Sequence, residues 1–269
     1  MQLQTKTLVI LILLLGSIFA IKITEPFERE VESGDKLSLG TIGPGQTVSI
    51  EIEPKVTSGG IHNEGGIYDN AYASQIPQGW DTKPSKLYGN PLQVTISANP
   101  NAKEGDYSAL IKIEDEQDGE KLGLITLNAT VKITYDVMDF EVEPKKIEVG
   151  PGQPAKFKII LENKGSTGDV FEVSSQGPKR WEFRKQVYVP ANSKVEVNYE
   201  IIGDEEEEFE TKINVTSVAS NLISDQKSVQ IKIKSNLIGD MKATNQGAMI
   251  FPLFEGIIYT FAGLVSNLF

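Results

Sequence analysis

A four-residue phrase, Gly43-Pro44-Gly45-Gln46, returns 107 residues later as Gly150-Pro151-Gly152-Gln153, and much of the chain downstream of it returns as well. Ile50 and Ile52 alternate with polar residues after the first copy, and Phe157 and Ile159 do so after the second. Pro77-Gln78-Gly79-Trp80 is echoed by Pro178-Lys179-Arg180-Trp181, which together hold the only two tryptophans of the chain. Tyr107 opens the run Ala109, Ile111, Ile113, as Phe209 opens Thr211, Ile213, Val215. A repeat of domain length requires each half to close a core of its own, and 269 residues leave room for two such domains. Duplicated architecture of this kind points to a scaffold rather than to a reaction.

The halves are written in a period of two. Val48 to Ile52, Val94 to Ile96, Ile111 to Ile113 and Val131 to Ile133 alternate strictly, and Ile125 to Val131 does so more loosely. In the second half the same pattern covers Lys156 to Leu161, Val170 to Val173, Gln186 to Val189, Val195 to Ile201, Lys212 to Val218 and Ser228 to Ile233. Short alternating runs between turn residues predict antiparallel β-structure with one wet face. No long segment of helical period lies between residues 23 and 235. The expected fold is all-β: two tandem immunoglobulin-like antiparallel β-sandwiches flanked by an N-terminal signal or anchor helix and a C-terminal apolar helix. The expected boundaries are 1–22 for the signal or anchor, 23–137 and 138–235 for the sandwiches, and 236–269 for a linker and membrane helix. In each Gly-Pro-Gly-Gln, proline presets φ and the next glycine accepts a positive φ, which predicts a type II turn feeding a strand. Trp80 and Trp181 are expected to plug one end of each sandwich, and stacking on a sugar is the alternative for the same rings.

The second copy, with Pro151-Gly152-Gln153, an alternating strand, Asn163-Lys164-Gly165, Pro178-Lys179-Arg180-Trp181 and strands around Phe209, resembles the immunoglobulin-like NEW module named for its association with α-galactosidases. The resemblance covers about residues 140–235. It implies a sandwich of the kind found in archaeal and bacterial cell-surface proteins and beside some glycoside hydrolases, in a spacer or binding role. The first copy carries a Gly-rich insertion, Thr57 to Ser74, where the Asn-x-Gly element stands in the second.

The two ends are apolar. Leu8 to Ile21 is a run of 14 apolar or small residues between Lys6 and Lys22. That length suits a signal-peptide core better than a span of about 20 residues. Cleavage after Ala20 would place Ile18 at the −3 position, a poor match to the small-residue rule, so an uncleaved anchor is the alternative. Lys6 favours export of the domains downstream. Ala248 to Phe269 is 22 residues long with one charge, Glu255. As a helix it is long enough to cross a bilayer. Glu255, Tyr259, Ala262, Gly263 and Ser266 then share one face, and Ile257, Phe261, Leu264 and Leu268 the other. A carboxylate in hydrocarbon needs a partner, a proton or the interface, and small residues beside it allow close helix approach. This face is the candidate contact with a membrane-protein partner.

Little else offers chemistry. A net charge of −11 argues against a nucleic-acid partner and against a polybasic grip on lipid. With no cysteine there are no disulfides and no thiolate metal sites. The single histidine, His62, lies in the polar Gly-rich insertion, which is expected to be a loop; one His without a thiol cannot build a typical zinc site, and there is no G-x-S-x-G elbow for a hydrolase triad. Glu114 to Glu120 is expected at a hairpin tip and Asp204 to Glu208 between two strands, both as solvated turns without a calcium-loop spacing. Asn128-Ala129-Thr130 and Asn214-Val215-Thr216 are candidate glycosylation sequons, usable only from the wet face of a strand. No catalytic residue, metal or cofactor is expected. The expectation is a non-catalytic, membrane-anchored extracytoplasmic accessory or adhesion-type protein. A carbohydrate-binding module using Trp80 or Trp181, and an enzyme with an unrecognised carboxylate pair, are the alternatives.

Overall fold

The computed structural model describes residues 20–117, 119–176 and 182–235. Sandwich 1 comprises β1 (Ile21–Glu25), β2 (Arg29–Val31), β3 (Lys36–Ile42), β4 (Thr47–Ile52), β5 (Lys55–Val56), β6 (Gly66–Ile67), β7 (Asn70–Ser74), β8 (Asp81–Lys83), β9 (Leu92–Ser97), β10 (Gly105–Glu114) and β11 (Ile125–Ile133). Sandwich 2 comprises β12 (Met138–Glu143), β13 (Lys146–Val149), β14 (Pro154–Asn163), β15 (Asp169–Gln176), β16 (Arg184–Val189), β17 (Ser193–Ile202), β18 (Glu207–Ser217) and β19 (Ser224–Ile233). The described residues contain no helix.

The alternation in sequence becomes alternation in burial. Ile125, Leu127, Ala129, Val131 and Ile133 of β11 point inward while Asn128, Thr130 and Lys132 face water. β14, β17 and β18 show the same pattern over ten or eleven residues each. A one-residue slip would turn every one of these apolar side chains outward, so the pattern itself pins the register. Two separate cores result, one built from residues 21 to 133 and the other from residues 137 to 233.

The sheet orders identify the fold. Sandwich 1 stacks β2-β1-β4-β9-β8 on β3-β11-β10-β7, and sandwich 2 stacks β12-β14-β17 on β13-β19-β18-β15-β16. Both place the first, second and fifth strands of an immunoglobulin-like domain in one sheet and its last strands in the other. Apart from the short strand β2 and the β5–β6 pair, which sandwich 1 adds, the halves differ at one strand. β8 joins β9, whereas its counterpart β16 crosses to β15.

Three expectations need correction. The sandwiches are not wholly antiparallel: β3 runs parallel to β11, and β13 parallel to β19. In each half the chain crosses from one sheet to the other near the start, after β2 in sandwich 1 and after β12 in sandwich 2, and then pairs with the last strand. The insertion from Thr57 to Ser74 is not all loop. Its final residues, Asn70–Ser74, form β7 against β10, because Ala71 and Ala73 alternate inward. Finally, Ile21 belongs to the body and not to the apolar leader. It opens β1, is fully buried and pairs with Val31. Val137 likewise belongs to the second core.

Trp80 is 8% exposed and packs at 5.2 Å from the Tyr107 ring, as a core plug does. Trp181 and the terminal segments 1–19 and 236–269 lie outside the described residues. No helix among the described residues is long and apolar enough to cross a membrane.

Phe171, fully buried in β15, gives a direct check on the second core. Phe171→Ala is expected to cost about 3–5 kcal/mol of stability. Phe27→Ala, at a site 41% exposed, should leave urea unfolding almost unchanged.

Candidate functional site

The groups that converge most densely between the two halves lie where sandwich 1 meets sandwich 2. The turn Gly43–Gln46 projects from the end of sandwich 1, between β3 and β4. The Gln46 side chain folds back so that its Oε1 accepts the Gly43 N–H at 2.7 Å. Its Nε2 then points forward and donates to Asp169 Oδ2 of sandwich 2, also at 2.7 Å. The same Asp169 oxygen accepts Ser217 Oγ–H at 2.7 Å, and Oδ1 accepts the Val170 N–H at 2.7 Å. Gln46 is 2% and Asp169 7% exposed. A buried carboxylate is tolerated when its lone pairs are filled, and here a residue of the other sandwich fills one of them.

Glycine is required at this contact. Gly45 has φ of +72°, and a Cβ there would stand 2.1 Å from the Ala219 carbonyl oxygen. The type II reading of the motif holds in both copies, since Gly152 has φ of +73°. Among the described residues, a neighbouring domain also presses on the turn in the first copy.

Around Gln46 a ring of hydroxyls and amides completes the joint. Ser166 N–H donates to the Thr41 carbonyl at 2.7 Å and Ser166 Oγ accepts the Thr41 N–H at 2.8 Å. Thr167 Oγ–H donates to the Thr47 carbonyl at 2.7 Å and Ser220 Oγ–H to the Pro100 carbonyl at 2.6 Å. These side chains are held in place from below by Asn163, which is fully buried. Its Nδ2 donates to the carbonyls of Thr167 and Val189, and its Oδ1 accepts the Gly165 N–H. The Asn-Lys-Gly element is thus the clamp of the loop that receives sandwich 1.

A second device fixes the chain as it leaves each sandwich. Glu104 Oε1 accepts the Tyr135 N–H at 2.9 Å and the Thr134 hydroxyl at 2.8 Å. Glu206 Oε1 accepts the Ser235 N–H at 2.9 Å at the equivalent place in sandwich 2. The Tyr135 N–H, then the Thr134 hydroxyl, hold the Glu104 carboxyl below the usual carboxylate range, and Ser235 does the same for Glu206.

The opposite end of sandwich 1, its tip, is closed by its own loops. Asp69, 3% exposed, accepts the Glu116 N–H at 2.8 Å, so this carboxylate is satisfied within its own domain. Tyr68, 1% exposed, donates to the Leu122 carbonyl at 3.4 Å, and burial, with Asp115 adding to it, pushes its hydroxyl up to about 12. Ile67 N–H donates to Glu120 Oε2 and Ile61 N–H to the Glu120 carbonyl. The insertion that replaces the Asn-x-Gly element therefore folds as a cap bound to the β10–β11 hairpin. Ile61 and Ile67 remain more than half exposed on it.

The structure gives each residue singled out in the sequence a place. His62 is exposed on the tip cap, and no cluster of three or more His, Cys, Asp or Glu suited to a metal occurs among the described residues. Asn128 is exposed on β11 and its Nδ2 donates to the Gly34 carbonyl at 3.4 Å. Asn214 is half-buried on the outer face of β18 and its Oδ1 accepts Gln226 Nε2. Glu114 ends β10, and residues 115–117, 119 and 120 lie in its connection to β11, while Asp204 to Glu208 spans the turn from β17 to the start of β18. A surface hollow of about 640 Å³ lined by Glu141, Val142, Glu143, Lys145, Lys227 and Ser228 holds an ammonium already engaged. Lys227 Nζ bonds Asp139 and the Phe140 carbonyl and lies over the Phe140 ring. Glu255, Tyr259, Ala262, Gly263 and Ser266 lie outside the described residues.

No protein-family model matches the chain, and no curated protein matches it. Among solved structures, a chimeric titin Z1Z2 carrying a decorin peptide aligns at 11% identity and a TM-score of 0.37, over 82% of this chain and 100% of that one. The CARDB domain of PF1109 from Pyrococcus furiosus, solved with di-metal ions, aligns at 16% identity and 0.29, over 38% and 92%. A PapD-like domain of human CEP192 aligns at 15% identity and 0.27, over 36% and 84%.

The joint and the exit clamps can each be checked by mutation. Gln46→Ala is expected to destabilise the chain by about 1–3 kcal/mol by stripping a bond from a buried carboxylate. Combined with Asp169→Ala it should be markedly less than additive in chemical melts, and full additivity would refute the bridge. For Glu104 the folded pKa is lowered from 4.5, so its stabilisation is complete above that range and is lost as pH falls through the lowered value. Glu104→Gln should therefore melt below wild type at neutral pH, with the difference closing in acid.

Proposed function

We propose that the chain is an exported, membrane-held, non-catalytic accessory protein. It uses two immunoglobulin-like sandwiches in tandem to carry a protein-contact surface away from the bilayer. The observation that carries this reading is where the chain enters and leaves. β1 starts at the tip: the Lys22 carbonyl accepts the Glu53 N–H just past the end of β4, while the start of β4 lies at the joint. β19 starts at the joint, next to Ser220 and Ile223, and ends beside the Gly150–Gln153 turn at the far end of sandwich 2. Ala20 and Ser235 therefore sit at opposite ends of the two-domain body.

Strands of nine to eleven residues make each sandwich about 30 Å tall, and the pair roughly 60 Å. Residues 236–247, the stretch before the C-terminal apolar segment, reach at most about 40 Å when fully extended. An upright body thus cannot send both apolar segments into one bilayer. The reading that satisfies this is an N-terminal leader removed after Ala20, with the C-terminal segment as the anchor. Ile21, buried at the first position of β1, is the earliest residue the core needs. The tip, with Ile61 and Ile67 on its cap, then faces away from the membrane as the contact surface. Trp80 is too deeply buried to stack on a sugar. The kinship with NEW-type modules belongs to this proposal, and the clamp role of Asn163 supports it.

The test is the intact mass and fractionation of the chain recovered from cells that export it. The mature protein should begin at Ile21 and stay with membranes through a carbonate wash, and a chain ending at Lys242 should be released. Retention of residues 1–20, or membrane binding without the C-terminal segment, would overturn the reading.

A further inference from the structure

Two Asn-x-Thr triplets lie on long strands, and the fold treats them differently. Residues two apart on a strand share a face. In β11 that sets the Asn128 amide and the Thr130 hydroxyl side by side on the outer face of sandwich 1, both exposed, with Ala129 between them buried. In β18 the Asn214 and Thr216 side chains also share the outer face, but both are half-buried.

The neighbours explain the difference. The register puts Leu110 and Lys36 on either side of Asn128, and Ser108 and Ser38 on either side of Thr130. The two serines are short and exposed, which leaves space above the strands, and half-buried Leu110 offers carbon for a sugar ring to lie on. Asn214 lies between Ser174 and Gln226, and its Oδ1 accepts Gln226 Nε2. Thr216 stands beside Glu172, which is paired with Arg184 at 3.1 Å.

The amide itself fits the same role. A primary amide carries two N–H bonds. One of those on Asn128 Nδ2 reaches the Gly34 carbonyl at 3.4 Å. The other can be exchanged for a bond to carbon without losing that contact, and Gly34 then holds the plane of the substituted amide.

We propose that Asn128 is a glycan attachment site and that Asn214 is left unmodified. The co-substrate is an oligosaccharide joined at its anomeric carbon to a lipid phosphate. A bond forms from Nδ2 to that carbon, and the carbon–oxygen bond to the phosphate breaks. Its electron pair leaves with the lipid phosphate, and the amide gives up one proton. A glycan there would keep the β3-β11-β10-β7 face clear of protein partners. The site rests on the exported reading above, because a chain kept inside the cell would not meet the transferring enzyme.

The experiment is peptide mass mapping of the chain recovered from the cells that export it, alongside full-length Thr130→Ser and Thr130→Ala. Wild type and Thr130→Ser should yield the Asn128 peptide with a saccharide on most copies. Thr130→Ala should yield it unmodified, with urea unfolding unchanged because the site is exposed. The Asn214 peptide should be unmodified in all three. An unmodified Asn128 in wild type, a saccharide that survives Thr130→Ala, or equal occupancy at Asn214 would overturn the proposal. The same map reads the N-terminus. A chain that begins at Ile21 with Asn128 unmodified refutes this site alone, whereas a retained leader refutes the functional reading.

Discussion

A single buried carboxylate governs how the two halves are joined. Asp169 sits in the end of sandwich 2 with bonds from its own domain, Ser217 and the Val170 N–H, and one from Gln46 of the other. An interface between domains is usually polar and adjustable. Here, with sandwich 1 in place, Asp169 is buried and its oxygens are filled, so losing the Gln46 bond without opening the joint would leave a buried acceptor short of a donor, which costs more than the bond itself contributes when made. The amide of Gln46 suits the position because it accepts and donates at once: its oxygen closes the turn and its nitrogen crosses the gap. A glutamate would lose the donor, and would set a second carboxylate against Asp169.

The repeat explains both the likeness and the difference of the two domains. Each needs a turn that feeds its second strand, and each uses glycine with positive φ to make it. Each also needs its last strand released in a fixed direction, for which Glu104 and Glu206 serve. The ends that face away from these turns have diverged. Sandwich 2 keeps a short loop clamped by Asn163 and presents hydroxyls to its neighbour. Sandwich 1 replaces that loop by the β5–β6 cap and satisfies Asp69 internally through Glu116. A body with one receiving end and one closed end has a defined first module, as a capped repeat array does. The turn repeated at the far end of sandwich 2 gives the body a direction.

Much of the fold could be read from the order of residues. Alternation such as Leu127, Ala129, Val131 marks a strand whichever neighbour it finds, because the two faces of a pleated strand differ in wetness. The glycine conformation at Gly45 and Gly152 was legible because a type II turn leaves few other choices. The parallel partnership of β3 with β11 was not, since pairing direction depends on where the chain crosses between sheets and not on the strand's own residues. Nor was the fate of Asn70–Ser74. Small alanines inside a Gly-rich stretch look like loop until the neighbouring strand β10 supplies a face to cover them. The glutamate clamps were invisible for a similar reason: Glu104 and Glu206 differ from the other carboxylates of an acidic chain only by where a distant backbone N–H arrives.

From sequence alone came the duplication, the all-β character, the turn at each Gly-Pro-Gly-Gln and the absence of thiol chemistry. All of these are properties of a residue and its immediate neighbours. Which copy of the motif binds a neighbour was decided only in three dimensions. Gln46 and Gln153 stand in the same phrase with the same local bond, yet Asp169, 123 residues from Gln46, reaches only the first. Long-range geometry, not composition, decides that the first turn locks two domains end to end.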